Sequence, residues 1–389
     1  MTTIYDVARV AGVSTATVSR VLRDSDLVHP DTRQRVVGVI AALGFVPDAS
    51  ARGLTRRRKD IIGLVGLVRS PDEIDVERTS LLFIDHIVHS AEEILRATEY
   101  SLLLTFGCRG EQFERRVHAL AGKVDGLLIA EEILSRSELR SLAAQVPVVV
   151  IAGGRDLAET DVFTSDNERG IVALTEHLTG QHGYRRLCFV AGPKDAPDAV
   201  ARHLAFEQAV TRSQGSVLDQ VIHGDFSEDS GIAAARVLLG GGSLPQAVVC
   251  ANDQMAIGVL RELQRAGIRV PADVAVTGFD DLYPSRVIDP PLTTVSQPFR
   301  DLGGRAMQRL LARISDPAMP PRAEVLPTLL AIRASCGCLW QEQPTPPRHR
   351  ASPEQQGPQG PQGPQGPQEQ PLGQDERPPH DHRMPDEHR

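Results

Sequence analysis

Four polar groupings have the side chains for molecular recognition, and each lies beside an apolar run. They are Asp166–Asn167 in TSDNERG, Asn252–Asp253 in CANDQMA, Asp280–Asp281 in GFDDL, and Arg202 at the head of ARHLAFEQAV. Carboxylates, an amide and a guanidinium can hold a polar small molecule by directed hydrogen bonds. Any one of them could instead cap a helix, Asn252 or Asp253 before QMAIGVL most readily. Four such groupings at predicted sheet edges favour binding. They contain no nucleophile–base pair at readable spacing. The chain has no G-x-S-x-G, no H-E-x-x-H, no phosphate loop, and no G-x-G-x-x-G between a strand and a helix. Binding rather than catalysis is expected, with no cofactor. The cysteines of SCGCLW have one residue between them and no histidine nearby in the sequence, so no metal site is expected there.

The elements that must position these groups alternate. Strand-like runs are IIGLVGLV, YSLLLTFG, VDGLLIA, VPVVVIAG, LCFVAG, QAVVCAND and VAVTGFD. Helical segments lie between them, over Leu82–Ala97, Gly170–Thr179, Ala201–Thr211, Asp229–Leu239 and Met255–Ala266. Continuously apolar strands fit parallel sheets covered on both faces. Ligands bind such sheets beyond the carboxyl ends of the strands.

The first 48 residues are a different material. In TIYDVARVAG, Thr3 and Asp6 have the spacing of a capping box, and Gly12 can end the helix in a left-handed conformation. Ser14 can cap a second helix, Thr15 to Leu22, with Val18, Val21 and Leu22 inward and Thr15, Ala16, Ser19 and Arg20 outward. A solvated helix would normally carry Glu, Lys and Gln on that face. Short hydroxyl and methyl side chains suit close approach to base edges, although a plain three-helix packing module is also consistent. A third helix is expected from HPDTRQRVVGVIAALGF. There His29 takes the cap position, Pro30 the first turn, and Val36, Val37, Ile40 and Leu43 the inner face. Next, VPDASARGLTRRRKD reads as a basic linker or as a segment that orders on DNA. In the second case Leu54 would wedge into the minor groove.

Charge supports that division. Residues 1–59 hold ten basic and five acidic residues, a net of +5, while the remaining 330 carry −13. Five cysteines in 389 residues read as reduced thiols. No apolar run reaches membrane-spanning length and no secretion signal opens the chain, so a cytoplasmic protein is expected. From Gln341 the repeats GPQGPQGPQGPQ are too few for a triple helix, and a disordered tail is expected.

TIYDVARVAGVSTATVSRVLR, VHPDTRQRVVGVIAALGFVPDASARGL and IIGLVGLV together resemble the LacI/GalR family of bacterial transcription regulators, from Thr3 to about Gly337. The resemblance implies an α/β chain. A helix-turn-helix head (1–48) and a hinge helix or linker (49–60) would precede a two-lobed, periplasmic-binding-protein-like body with parallel sheets (61–340) and the tail (341–389). It implies DNA contact by Tyr5, Ser14, Thr15, Ala16, Thr17, Ser19 and Arg20, with Leu54 as the minor-groove lever; His29, read locally as a helix-start residue, is placed where it could also touch a phosphate. It also implies effector contact by Phe83, Arg155, Asp166, Arg202, Asn252 and Asp280. Gly154 stands where the family often has an Asp, which leans the effector towards a sugar acid or sugar phosphate rather than a plain sugar. The implied function is a repressor of a catabolic or transport operon. It would bind a palindromic double-stranded operator as a homodimer or tetramer, paired through residues around 80–98 and 297–311. A constitutive DNA binder with a degenerate pocket, a solute-binding protein and an α/β enzyme are the alternatives.

Overall fold

The computed structural model describes residues 2–22, 25, 27–45, 58–67, 82–108, 110–130, 134–154 and 160–339. Leu54, Arg155, nearly all of the hinge and the tail beyond Leu339 lie outside the described residues.

The head contains three helices, α1 (Ile4–Ala11), α2 (Thr15–Leu22) and α3 (Pro30–Leu43). The expected capping box is formed: Thr3 Oγ1 accepts from Asp6 N at 3.3 Å, and Asp6 Oδ2 accepts from Thr3 N at 2.9 Å. Gly12 closes α1 at φ 66°, a conformation costly for residues with a Cβ. Ser14 Oγ then accepts from Thr17 N at 3.1 Å and starts α2. Val7, Ala8, Ala11, Val18, Val21, Val28 and Val36 form the head's core. Val37, expected inside, is 52% exposed, and Val10 is 53% exposed. Val36 alone of the adjacent pair faces the core, because consecutive helical residues point about 100° apart.

The body has two lobes, each built on a six-stranded sheet. The first runs in the order β11-β5-β4-β3-β1-β2, all parallel. Its strands are β1 (Ile61–Leu67), β2 (Ser101–Gly107), β3 (Gly126–Ala130), β4 (Val148–Ile151), β5 (Asp161–Ser165) and β11 (Ala323–Leu326). The second runs β12-β10-β9-β8-β6-β7, with β12 antiparallel to β10. Its strands are β6 (Arg186–Ala191), β7 (Val217–His223), β8 (Ala247–Cys250), β9 (Ala275–Asp280), β10 (Thr293–Ser296) and β12 (Leu329–Ala331). Buried strands β3, β4 and β8 are apolar at every position, the pattern expected of sheets covered on both faces.

The chain crosses between lobes three times, after β5, after β10 and after β11. One crossing leads into the helix Phe299–Ser315, whose Leu302, Ala306, Met307 and Leu310 are buried in the first lobe's core together with Ile84, Ile87, Ala91 and Leu95. Most apolar side chains between 297 and 311 are therefore spent inside their own lobe rather than offered to a partner. No helix among the described residues is long and apolar enough to cross a membrane.

Candidate functional site

A cavity of about 70 Å³ lies between the lobes. The first lobe supplies Phe83, Ile151, Ala152, Phe299 and Leu302. The second supplies Asp195, Asp198, Arg202, Phe226, Asn252 and Asp280. A wider groove of about 810 Å³ shares Ser165, Asp195 and Asp198 with it and is bordered by Arg136, Gly154 and Asn167. Together they reach the size typical of small-molecule sites.

Arg202 organises the floor. It rises from the second turn of the helix Pro197–Arg212 and is only 3% exposed. Its Nε donates to Asn167 Oδ1 at 2.8 Å and its Nη1 to Ala251 O at 2.7 Å. Its guanidinium lies 3.9 Å from the centre of the Phe279 ring. Asp198 is 3.6 Å from Nη2, and Asp280 is 3.7 Å from Nη1. Asn167 Nδ2 closes the network by donating to Asp198 Oδ1 at 2.9 Å. One cation thus faces two carboxylates. Burial pushes the Asp280 carboxyl up to about 7, against the pull of Arg202 and the Gln297 hydrogen bond. Burial likewise raises Asp198, opposed by Arg202 and Asn167.

Asp280 ends β9 at φ 125°, and Phe226 and Ala152 on the cavity wall have φ 73° and 60°. Such backbone persists only where its surroundings enforce it, and it recurs at ligand sites. Gln297, on the crossing after β10, donates from Nε2 to Asp280 Oδ1 at 2.6 Å. Across the cavity Phe83 and Phe299 form a tilted pair with ring centres 6.0 Å apart.

The structure brings together Phe83, Arg202, Asn252 and Asp280 of the residues expected here. Asn252 also serves as a helix cap: its Oδ1 accepts from Met255 N at 3.0 Å, and its Nδ2 donates to Phe226 O at 2.9 Å. Asp166 caps the helix Asn167–Glu176, with Oδ1 accepting from Arg169 N at 3.2 Å, and stands beside the lining rather than in it. Its neighbour Asn167 carries the contact. Asp253 is fully buried and structural, accepting from Leu282 N at 2.9 Å and Thr294 Oγ1 at 2.5 Å. Asp198, Gln297 and Phe299 were missed in the sequence, whereas Asn167 belonged to the expected Asp166–Asn167 grouping. Asp198 had a signal, since it sits one helical turn before Arg202; Gln297 had none.

In the head, Ala16 and Arg20 on α2 are exposed and Thr15 and Ser19 half-buried. Thr17 Oγ1 lies 2.9 Å from Ser14 Oγ, so these two hydroxyls serve the helix start. Tyr5 is 73% exposed. His29 takes the predicted cap position, its Nδ1 accepting from Asp31 N at 3.4 Å.

Residues 3–48 match the profile of bacterial regulatory proteins of the lacI family, and residues 175–336 that of a periplasmic binding protein-like domain. The transcriptional regulator CelR of Thermobifida fusca is 37% identical over 342 residues, covering 86% of this chain and 98% of CelR.

The chain belongs to the LacI family.

Among solved structures, the lac repressor dimer bound to operator and the anti-inducer ONPF superposes with a TM-score of 0.75 at 30% identity, covering 86% of this chain and 99% of that one. A CelR–cellobiose complex superposes with a TM-score of 0.63 at 34% identity, covering 86% and 100%. This LacI-family chain is a sequence-specific DNA-binding regulator with an effector site between its lobes, and it is not an enzyme.

Proposed function

We propose that this regulator represses transcription as a homodimer on a two-fold operator, and that its effector is a neutral sugar of one or two rings. The observation that carries the sugar class is the charge of the cleft. Arg202 is already flanked by Asp198 and Asp280, and Asp195 adds a third carboxylate to the lining. Even with Asp280 holding its proton below about 7, Arg202 is offset by the neighbouring carboxylates, so a phosphate or carboxylate ligand would meet no surplus of positive charge. Hydroxyl groups can instead donate to the carboxylates and accept from Arg202 and Asn252. Phe83, Phe226 and Phe299 give apolar walls for a ring face. This reverses the lean towards an anionic ligand drawn from Gly154. The cellobiose complex of CelR supports the same class.

In the head, Thr15, Ala16 and Ser19 are assigned to base edges and Arg20 to phosphate, with Tyr5 and His29 beside them. Leu54 keeps its proposed minor-groove role and Arg155 its proposed effector contact; both lie outside the described residues. Pairing of two heads on one operator follows from closed two-fold symmetry, and the lac repressor dimer on operator supports it. The first lobe's edge strand β2 exposes Leu103 and Leu104, apolar surface suited to that pairing.

A thermal-shift panel of neutral mono- and disaccharides, sugar acids and sugar phosphates tests the ligand class. A neutral sugar should raise the melting temperature in proportion to the logarithm of its concentration. Stabilisation by anionic sugars alone would overturn the assignment.

A further inference from the structure

We propose that the second lobe carries a structural zinc site formed by His177, His182, Cys336 and Cys338, remote from the effector cleft. One donor atom from each of the four side chains falls within 4.8 Å of all the others. His177 Nε2 lies 3.4 Å from Cys336 Sγ, 3.6 Å from Cys338 Sγ and 3.3 Å from His182 Nε2. His182 Nε2 lies 3.3 Å from Cys338 Sγ. A tetrahedral zinc ion with two nitrogen and two sulfur ligands requires donor separations of roughly 3.3–3.8 Å. Four of the six separations lie at or near that range, and the other two lie within 4.8 Å, so small side-chain movements would close the set on an ion.

Local backbone geometry creates the cluster. Residues five apart on an α-helix point about 140° from each other. Here the helix Asn167–Glu176 passes into a π turn, His177–Gln181, whose wider i→i+5 closure turns His177 and His182 to one side. Opposite them, the 3-10 turn Ala334–Cys336 is followed by Gly337 at φ 103°, which brings Cys338 back beside Cys336. Both turns are held from outside. Tyr184 OH donates to Cys336 O at 3.0 Å, and its ring stacks on His182 with centres 5.3 Å apart. Ser335 Oγ donates to Val276 O at 2.6 Å and accepts from Thr293 N at 2.8 Å. No histidine lies near the cysteines in the sequence, and the fold supplies two from about 160 residues away.

Hydrogen bonding alone is a poor account of this arrangement. The single Nε2 of His177 is approached by three polar atoms at once, yet it offers one lone pair or one proton. A central cation satisfies all four donors together. Two nitrogens and two thiolates in a compact tetrahedral set select zinc among common divalent ions. Four protein ligands leave no open position, so the role is structural. The ion would tie the end of the helix Asn167–Glu176 to the last described turn of the body. That helix begins at the cleft with Asp166 and spans roughly 15 Å.

The test uses the full-length chain, purified reduced and without a histidine tag, then stripped with chelator and titrated with Co2+ and Zn2+. The proposal predicts one equivalent of Co2+ with the visible spectrum of a tetrahedral complex and a near-ultraviolet thiolate-to-metal band. Zn2+ should displace the Co2+ and raise the melting temperature. The tail histidines cannot mimic the thiolate band, because residues 341–389 contain no cysteine. Cys338→Ser and His182→Gln should each weaken metal binding by about 100-fold or more. The parent protein's Co2+ spectrum decides the matter even if a variant fails to fold. Absence of the thiolate band from the fully reduced parent, or equal alkylation of Cys338 with and without Zn2+, would overturn the site.

Discussion

Gln297 Nε2 donates to Asp280 Oδ1 at 2.6 Å, joining a cleft carboxylate to one of the three segments that cross between the lobes. A ligand that engages Asp280 therefore acts on a group bonded to the crossing. Effector control needs a ligand that binds two arrangements of the protein with different affinity, and this bond is a direct place for the difference to arise. Gln297→Ala should leave sugar affinity within about fivefold while removing most of the sugar's effect on operator binding, a coupling otherwise of about 1–3 kcal/mol. Isothermal titration of the sugar, alongside operator anisotropy with and without it, checks both halves.

The buried Asp280 gives the body a pH dependence of predictable sign. Its carboxyl holds a proton up to about 7 in the folded state, against about 4 unfolded. The stability associated with this group is complete below about 4 and is lost as pH rises towards 7. Asp280→Asn should flatten that limb of the melting-temperature profile between pH 4 and 7 in the ligand-free protein. An unchanged slope would place the titration elsewhere.

Arg202 is bonded within the protein before any ligand arrives. Removing it would leave Asp198 and Asp280 buried without their cation. Arg202→Ala should cost about 3–5 kcal/mol of stability, read as a lower urea midpoint for the body. Loss of sugar response in that variant would therefore say little about direct contact, and Phe299→Ala is the cleaner probe of the cleft wall.

On the exposed face of α2, Arg20 and Ala16 should separate affinity from specificity. Arg20→Ala should weaken binding to all DNA sequences alike and reduce the magnitude of the salt slope by about 1. Ala16→Gln should alter which operator is preferred, because a longer side chain at a base edge changes the direct contacts. Operator-variant titrations at several salt concentrations distinguish the two.

The head was legible because its signals are local: the Thr3–Asp6 box, Gly12 and the Ser14 cap all act within four residues. The central strands were legible because burial on both faces makes them continuously apolar. Strands β5, β7, β10, β11 and β12 were missed. Strands β10, β11 and β12 have only three or four residues, and β5 and β7 interrupt their apolar runs with Asp161, Thr164 and Ser165 and with Asp219, Gln220 and His223. Arg202, Asn252 and Asp280 were legible as polar groups at strand or helix ends. What they do there depends on distant partners. Asn252 turned out to cap a helix as well as line the cleft, and Asp166 to cap one beside it. The His177–His182 pair was hidden because sequence spacing assumes an α-helix, whereas the chain makes a π turn at that point.

The central claim is that a sugar in the interlobe cleft changes how the head holds DNA. The most direct measurement is the affinity of the full-length protein for an operator selected from random-sequence DNA, by fluorescence anisotropy, with and without a neutral sugar that raises its melting temperature. The operator dissociation constant should shift about tenfold or more in the parent, and the same sugar concentration should leave it unchanged in Phe299→Ala. An operator affinity indifferent to every sugar that stabilises the protein would contradict the account.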